Sequence, residues 1–284
     1  MSCDQSAFAL RGGAGKWPRV AVSIFAALRA RWVVEMGVLI GLLVAYNVIR
    51  AAQGTDAALA VEHSRQVLQL QGSLFFDVEV PLNTWIGTVP VVAVAACYFY
   101  ALMHYFMTPV VLLMSRRAGG TQYWRGYWAI VIASAIALFV YAAWPMAPPR
   151  LVPDLGIADV MRNYSDYGWW GSAASAPRGI GDATNQYAAM PSLHFGWSLW
   201  CAIQLWALPT RRWRAVAVAY PTVQAVVVLA TGNHFLLDVL GGAVCVGLAY
   251  VIARILIASP ASPVDSQPSV PSTPHPAAAS LDLN

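Results

Sequence analysis

The sequence predicts an all-α protein, a polytopic membrane helix bundle with six transmembrane helices, and three observations carry that prediction. Hydrophobic residues make up 58% of the 284 and charged residues only 11%, against about 25% charged in soluble domains. The apolar residues fall into successive runs close to the roughly 20 residues a helix needs to cross the bilayer core. The basic residues, all arginine except Lys16, gather at alternate ends of those runs, the asymmetry that orients membrane segments. One membrane domain, residues 31–258, accounts for the length.

Residues 1–30 are read as a cytoplasmic N-terminal segment. The first 16 lack a hydrophobic period. Residues 17–30 are short, apolar and flanked by Lys16, Arg19 and Arg29, as in an interfacial turn of helix; a cleaved signal peptide is the alternative, but no cleavage site precedes Arg29. The first span is Trp32 to Ile49, with Glu35 near its start and within reach of the interface. Residues 56–71 have a helical period with polar Glu62, His63, Arg65 and Gln66, which suits a helix lying on the membrane with His63 at its surface. The second span runs from Val89 to Met114. Pro90 suits its start, and Pro109 should kink or shorten its end. It should run inward, which sends His104 to the far side of the membrane domain, where it can bond a neighbouring helix. Arg116, Arg117 and Arg125 mark a basic loop before the third span, Tyr127 to Trp144.

Residues 145–189 form a long segment in which Arg150, Arg162 and Arg178 mix with four aspartates, tyrosines and tryptophans. That mixture suits a lid at headgroup level. Spans four and five, Phe195 to Leu208 and Ala215 to Ala230, are split by the basic turn Arg211-Arg212-Trp213-Arg214. Span six, Phe235 to Ile257, carries Asp238 and the glycines at 241, 242 and 247, which permit close helix contact. Residues 259–284 are rich in Pro, Ser and Ala and read as a disordered tail. Six spans put both termini on one side. With the N-terminus inside, 12 of the 17 basic residues lie inside. The termini are therefore expected to be cytoplasmic and the lid extracytoplasmic in an integral membrane protein, the cell membrane being the expected location.

Two histidine-bearing stretches stand out. One is Met190-Pro191-Ser192-Leu193-His194. The other is Thr231-Gly232-Asn233-His234, running on to Asp238. Spans four and five go across and return, which brings both histidines to one membrane surface. Pro191 suits a first helical turn, and the backbone N–H groups of Ser192, Leu193 and His194 would face an anion there. His234 and Asp238 are four apart and share a helix face. The carboxylate can accept the ring N–H and leave the other nitrogen free to attack. Helix-end histidines that only satisfy carbonyls are the plainer alternative.

Pro191-Ser192-Leu193-His194 resembles the Pro-Ser-Gly-His block of the PAP2 (type 2 phosphatidic acid phosphatase) superfamily, and His234-x-x-x-Asp238 resembles the end of that superfamily's third block. Met-Pro-Ser-Leu-His, Gly-Asn-His-Phe-Leu-Leu-Asp and Ala147-Pro148-Pro149-Arg150 resemble the branch related to inositol phosphorylceramide synthase. The resemblance implies a PAP2-like fold, His234 as nucleophile, Asp238 as its orienter and His194 as acid for the leaving group. The superfamily's first block is Lys-x6-Arg-Pro; here position 143 is Ala, and Arg150 is the surviving equivalent. The Ser-Arg that normally precedes the third-block histidine is replaced by Val227-Val228. The site thus has fewer assured cations, which leans toward a singly charged phosphodiester and hence toward headgroup transfer between lipids. Arg178 or Arg162 can supply the missing charge.

The expected reaction is phosphotransfer on membrane lipids through a phosphohistidine, with a lipid or alcohol acceptor, or with water in a phosphatase. A non-catalytic anionic-lipid binding or transport protein is the reading from another class. Expected phosphate contacts are Arg150, Ser192, Leu193, Asn233 and Arg178. No carboxylate cluster suggests magnesium, so metal-independent chemistry without a cofactor is expected; a zinc site on His194, His234 and Asp238 would instead predict sensitivity to chelators. Cys3, Cys97, Cys201 and Cys245 have no Cys-x-x-Cys spacing, so neither a disulfide framework nor a zinc ribbon is indicated. No basic tract interleaved with aromatics points to nucleic acid.

Overall fold

A computed structural model describes residues 32–42, 44–48, 57–74, 77–170 and 186–257. The N-terminal segment, Arg178 and the Pro/Ser/Ala-rich tail lie outside the described residues. The chain runs α1 (Trp32–Val48), α2 (Ala57–Leu74), α3 (Glu79–Gly87), α4 (Pro90–Ala118), α5 (Gly120–Ala143), α6 (Val160–Asn163), α7 (Leu193–Ala207), α8 (Arg214–Ala230) and α9 (Leu236–Leu256). No strand occurs among the described residues, only an isolated bridge between Met146 and Ala188.

Four helices, α4, α5, the stretch Arg211–Ala230 and α9, are long and apolar enough to cross a membrane. They make this an integral membrane protein. Two of the six expected spans fall short by length. The helix Trp32–Val48 is shorter than a full span, and α7 has 15 residues, about 22 Å at 1.5 Å per residue against a core of about 30 Å.

Helix α7 is the hub. Trp200, Cys201 and Leu205 are buried in a core that also takes Val111 of α4, Ala129 and Ala133 of α5, Tyr220 of α8 and Val246 and Ala249 of α9. Close approach is built into two glycines. A Cβ at Gly242 would lie 2.4 Å from the Ser192 carbonyl oxygen, and one at Gly126 would lie 1.9 Å from the Gln204 side chain. Of the three glycines expected to permit contact on α9, Gly242 is the one that requires it; Gly247 faces open space.

Several boundaries move. The expected basic loop around Arg116 and Arg125 is helical, because α4 and α5 join through Gly119 alone, with positive φ at Gly119 and Gly120. Pro109 sits inside α4 without ending it. Glu35 does not reach for an interface. It is buried, paired with Arg116, and accepts the Tyr123 hydroxyl at 2.8 Å. The start of α1 is thereby fixed to the α4–α5 turn.

The start of the segment 145–189 is ordered by α2. Ser64 donates to the Ala147 carbonyl at 2.8 Å, and the Ala147 N–H donates to Ala60 at 3.1 Å. His63, expected at the surface, is half-buried, with Nδ1 2.8 Å from the Pro145 carbonyl and its ring against Trp144. The two ends of that segment then pair: Met146 N–H donates to Tyr187 at 2.7 Å and Ala189 N–H to Met146 at 3.2 Å.

Candidate functional site

The site forms where α7 and α9 begin. Ser192 is the N-cap of α7, and its Oγ accepts the Phe195 N–H at 3.4 Å. Pro191 therefore precedes the cap and lies outside the first turn, where it was expected. The Ser192 N–H is also committed, donating to the Asp238 carbonyl at 2.9 Å. That corrects the expectation of three free amides. Leu193 and His194 occupy the first turn, whose N–H groups have no acceptor within the helix.

His194 and His234 come together, their ring centroids 5.9 Å apart. Nδ1 of His234 lies 2.9 Å from the Ala189 carbonyl and 3.5 Å from Asp238 Oδ2. A carbonyl can only accept, so Nδ1 carries the proton and Nε2 keeps its lone pair. The Nε2 atoms of both His194 and His234 are buried without a hydrogen-bond partner. Buried polar atoms are nearly always paired, and exceptions call for a reason such as catalysis.

Asp238 does more than orient an imidazole. The same Oδ2 accepts the Phe235 N–H at 2.8 Å and so caps α9. The closer partner of His234 is the Ala189 carbonyl, which the sequence did not suggest because it lies 45 residues away. Two further side chains hold the start of α9. Glu79 accepts the Leu236 N–H at 2.7 Å, and Gln71 accepts the Leu237 N–H at 3.1 Å. Gln71 also donates to Glu79 at 2.7 Å. Three orphan amides of the helix are thus met by side chains, two of them from α2 and α3.

Arg150 lies in a 3-10 turn, Pro149–Leu151. Its N–H donates to Gly232 at 3.0 Å, and its Nε donates to Asn233 Oδ1 at 3.0 Å. Gly232 has φ +73, and a Cβ there would meet Ile157, Ala158 and Arg150 within 3.3 Å. Asn233 in turn donates to Thr231 at 2.9 Å. Arg150 and Asn233 are therefore brought to the residue before His234. Asp159, one of the four aspartates of the segment 145–189, lies 3.4 Å from Arg150 and offsets part of its charge. Arg162, a candidate alternative cation, has its N–H on Asp159 as part of the α6 cap.

His104 is the largest correction. The expected far-side histidine has its ring 4.6 Å from that of His194, edge to face. Tyr100, one turn earlier on α4, stacks on His194 at 4.3 Å. His104 lies at the middle of the 29-residue α4, level with the start of the shorter α7.

Among the described residues, no group of three His, Cys, Asp or Glu side chains is arranged to hold a metal ion. An apolar cavity of about 500 Å³ opens beside Met190 and Pro191, lined by Val67, Leu70, Val140, Val244 and Leu248 among others. Neither histidine of the pair is on its wall.

A sequence model of the PAP2 superfamily matches residues 65–252, which include Arg150, His194, His234 and Asp238. No curated protein and no solved structure matches the chain.

Proposed function

Because the chain belongs to the PAP2 superfamily, we propose that it is a membrane lipid phosphotransferase acting on phospholipid-type phosphodiesters through a phosphohistidine. The observation that carries this reading is the buried histidine pair with both Nε2 atoms uncommitted. The lone pair on His234 Nε2 attacks phosphorus. The bond from phosphorus to the leaving oxygen breaks, and that oxygen takes the proton of His194. An acceptor hydroxyl then attacks the phosphohistidine, its proton returns to His194, and the phosphorus–nitrogen bond breaks. Arg150, Asn233 and the first-turn amides of Leu193 and His194 meet the charge on the phosphoryl oxygens. Ser192 contributes through the cap, with its hydroxyl proton still available to donate; Arg178 is the further cation the lid can supply.

The balance of Arg150 by Asp159 supports a diester over a doubly charged monoester. Met190 to His194, Gly232 to Asp238 and Ala147 to Arg150 support the branch resembling inositol phosphorylceramide synthase. The apolar cavity beside Met190 suits a hydrocarbon chain of the substrate. In this reading α1 and α7 are the two shorter of six crossings, both termini are cytoplasmic and the site is extracytoplasmic. The same residues with water as acceptor make a lipid phosphatase.

The test is incubation of the purified protein with labelled phospholipids, with and without an alcohol acceptor, followed by acid-labile phosphoenzyme trapping. Headgroup transfer to the alcohol is expected, and His234→Ala should abolish both turnover and labelling. Release of inorganic phosphate from monoesters alone would favour the phosphatase. Lipid binding without turnover in the unaltered protein would remove the enzyme reading.

A further inference from the structure

We propose that His104 is a positioning residue for His194, making the site a three-histidine assembly. The inference rests on the reading of His194 as the acid. An imidazole in a membrane-spanning helix is expensive unless it has a task. His104 is buried, and its Nδ1 has no hydrogen-bond partner, so that atom does not repay its burial by tying α4 to a neighbouring helix. Apart from a backbone contact with Tyr100 inside α4 itself, what the ring has is aromatic company. It meets His194 edge to face at 4.6 Å, Tyr105 at 3.9 Å and Trp197, one turn along α7 from His194, at 6.4 Å. Tyr100 lies four residues before His104 on the same face of α4 and covers His194 at 4.3 Å with its plane nearly parallel, 21° away.

His194 therefore sits between a stacked face and a perpendicular edge, both supplied by α4, with His234 as its third aromatic neighbour at 5.9 Å. Rotation of the His194 ring about its side-chain bonds would collide with one or the other. A general acid must present its proton to the leaving oxygen within hydrogen-bond reach, and small misplacements of such groups cost rate steeply. His104 holds the ring plane that makes this possible. It acts through His194 and does not touch phosphorus.

This role has a signature that a purely structural one lacks. Protonation of the leaving oxygen matters for a natural phospholipid and not for a nitrophenyl ester, whose leaving group departs as an anion. Single-turnover phosphoenzyme formation is measured on both substrates for His104→Ala, His104→Phe, His194→Ala and His104→Ala/His194→Ala. His104→Ala is expected to slow the natural substrate by about 10-fold or more and the activated ester by less than about 3-fold. In the His194→Ala background it should add no further loss, as residues acting as one unit do. His104→Phe keeps a ring against His194 and should recover most of the lost rate; it also serves if the alanine variant does not fold. Equal losses on the two substrates, or losses that add to those of His194→Ala, overturn the inference. So does a native rate for His104→Ala. If His194→Ala itself shows no contrast between substrates, the acid reading fails and the inference falls with it. A contrast in His194→Ala but none in the His104 variants removes the inference alone.

Discussion

At the scale of single residues, Asp238 divides one oxygen between a helix cap and an imidazole. In a serine-protease triad the amide variant of the orienting aspartate loses about 10⁴-fold because the histidine takes the wrong tautomer. Here the Ala189 carbonyl holds His234 Nδ1 more closely. Asp238→Asn is therefore expected to lower phosphoenzyme formation by only about 10-fold, equally on natural and activated substrates; a loss near the triad value would return the orienting role to Asp238. Arg150→Lys keeps the charge but gives up the planar fork that reaches Asn233 and should lose at least about 10-fold in kcat/KM. Native kinetics for Arg150→Ala would shift the phosphate contact to the lid. The sequence made the meeting of His194 with His234 legible because each sits beside a helix start. It hid His63 and His104, whose surroundings depend on which helix lies alongside. Local spacing carries no information on that.

At the scale of elements, the junction of α7 and α9 sets the geometry of the histidine pair. Gly242 lets the α9 backbone approach the Ser192 carbonyl, and Asp238 returns the contact through its own carbonyl to the Ser192 N–H. Gly242→Ala forces a methyl group against backbone. It should cost about 1–3 kcal/mol, read as a lower thermal midpoint in detergent, and should lower activity in parallel. Gly247→Ala, which meets nothing within 4 Å, is the matched control and should behave as the unaltered protein. Helix positions were legible from apolar runs, and α8 and α9 begin within a residue of expectation. Arginines at the α4–α5 junction suggest a loop, whereas Arg116 extends a helix end to pair with Glu35 and covers the Trp32 ring at 4.0 Å. The shortness of α7 was visible in its own apolar run; only the assumption of uniform crossings concealed it.

For the whole molecule, the proposed sidedness rests on arginine asymmetry. Single-cysteine labelling in intact cells should reach Ser172→Cys and miss Arg212→Cys. The native Cys97, Cys201 and Cys245 are buried and should give little background. The opposite pattern would turn the protein over in the membrane. The class of architecture and the meeting of His194 with His234 were legible in the sequence, since both are written in hydropathy and short motifs. The scaffold of that centre was not, because it is made of contacts between distant segments. Glu79 shows what this means for the life of the chain. Its carboxylate is buried and bonded to an amide 157 residues later, so during synthesis that bond waits until α9 has left the ribosome. A nascent chain that stops before Leu236 leaves that carboxylate with the Gln71 side chain but without the helix it caps. The contact that caps α9 thus also distinguishes a chain that carries this helix from one that stops short of it, and chains truncated before Leu236 should be cleared by the membrane's proteases faster than chains with a substituted histidine.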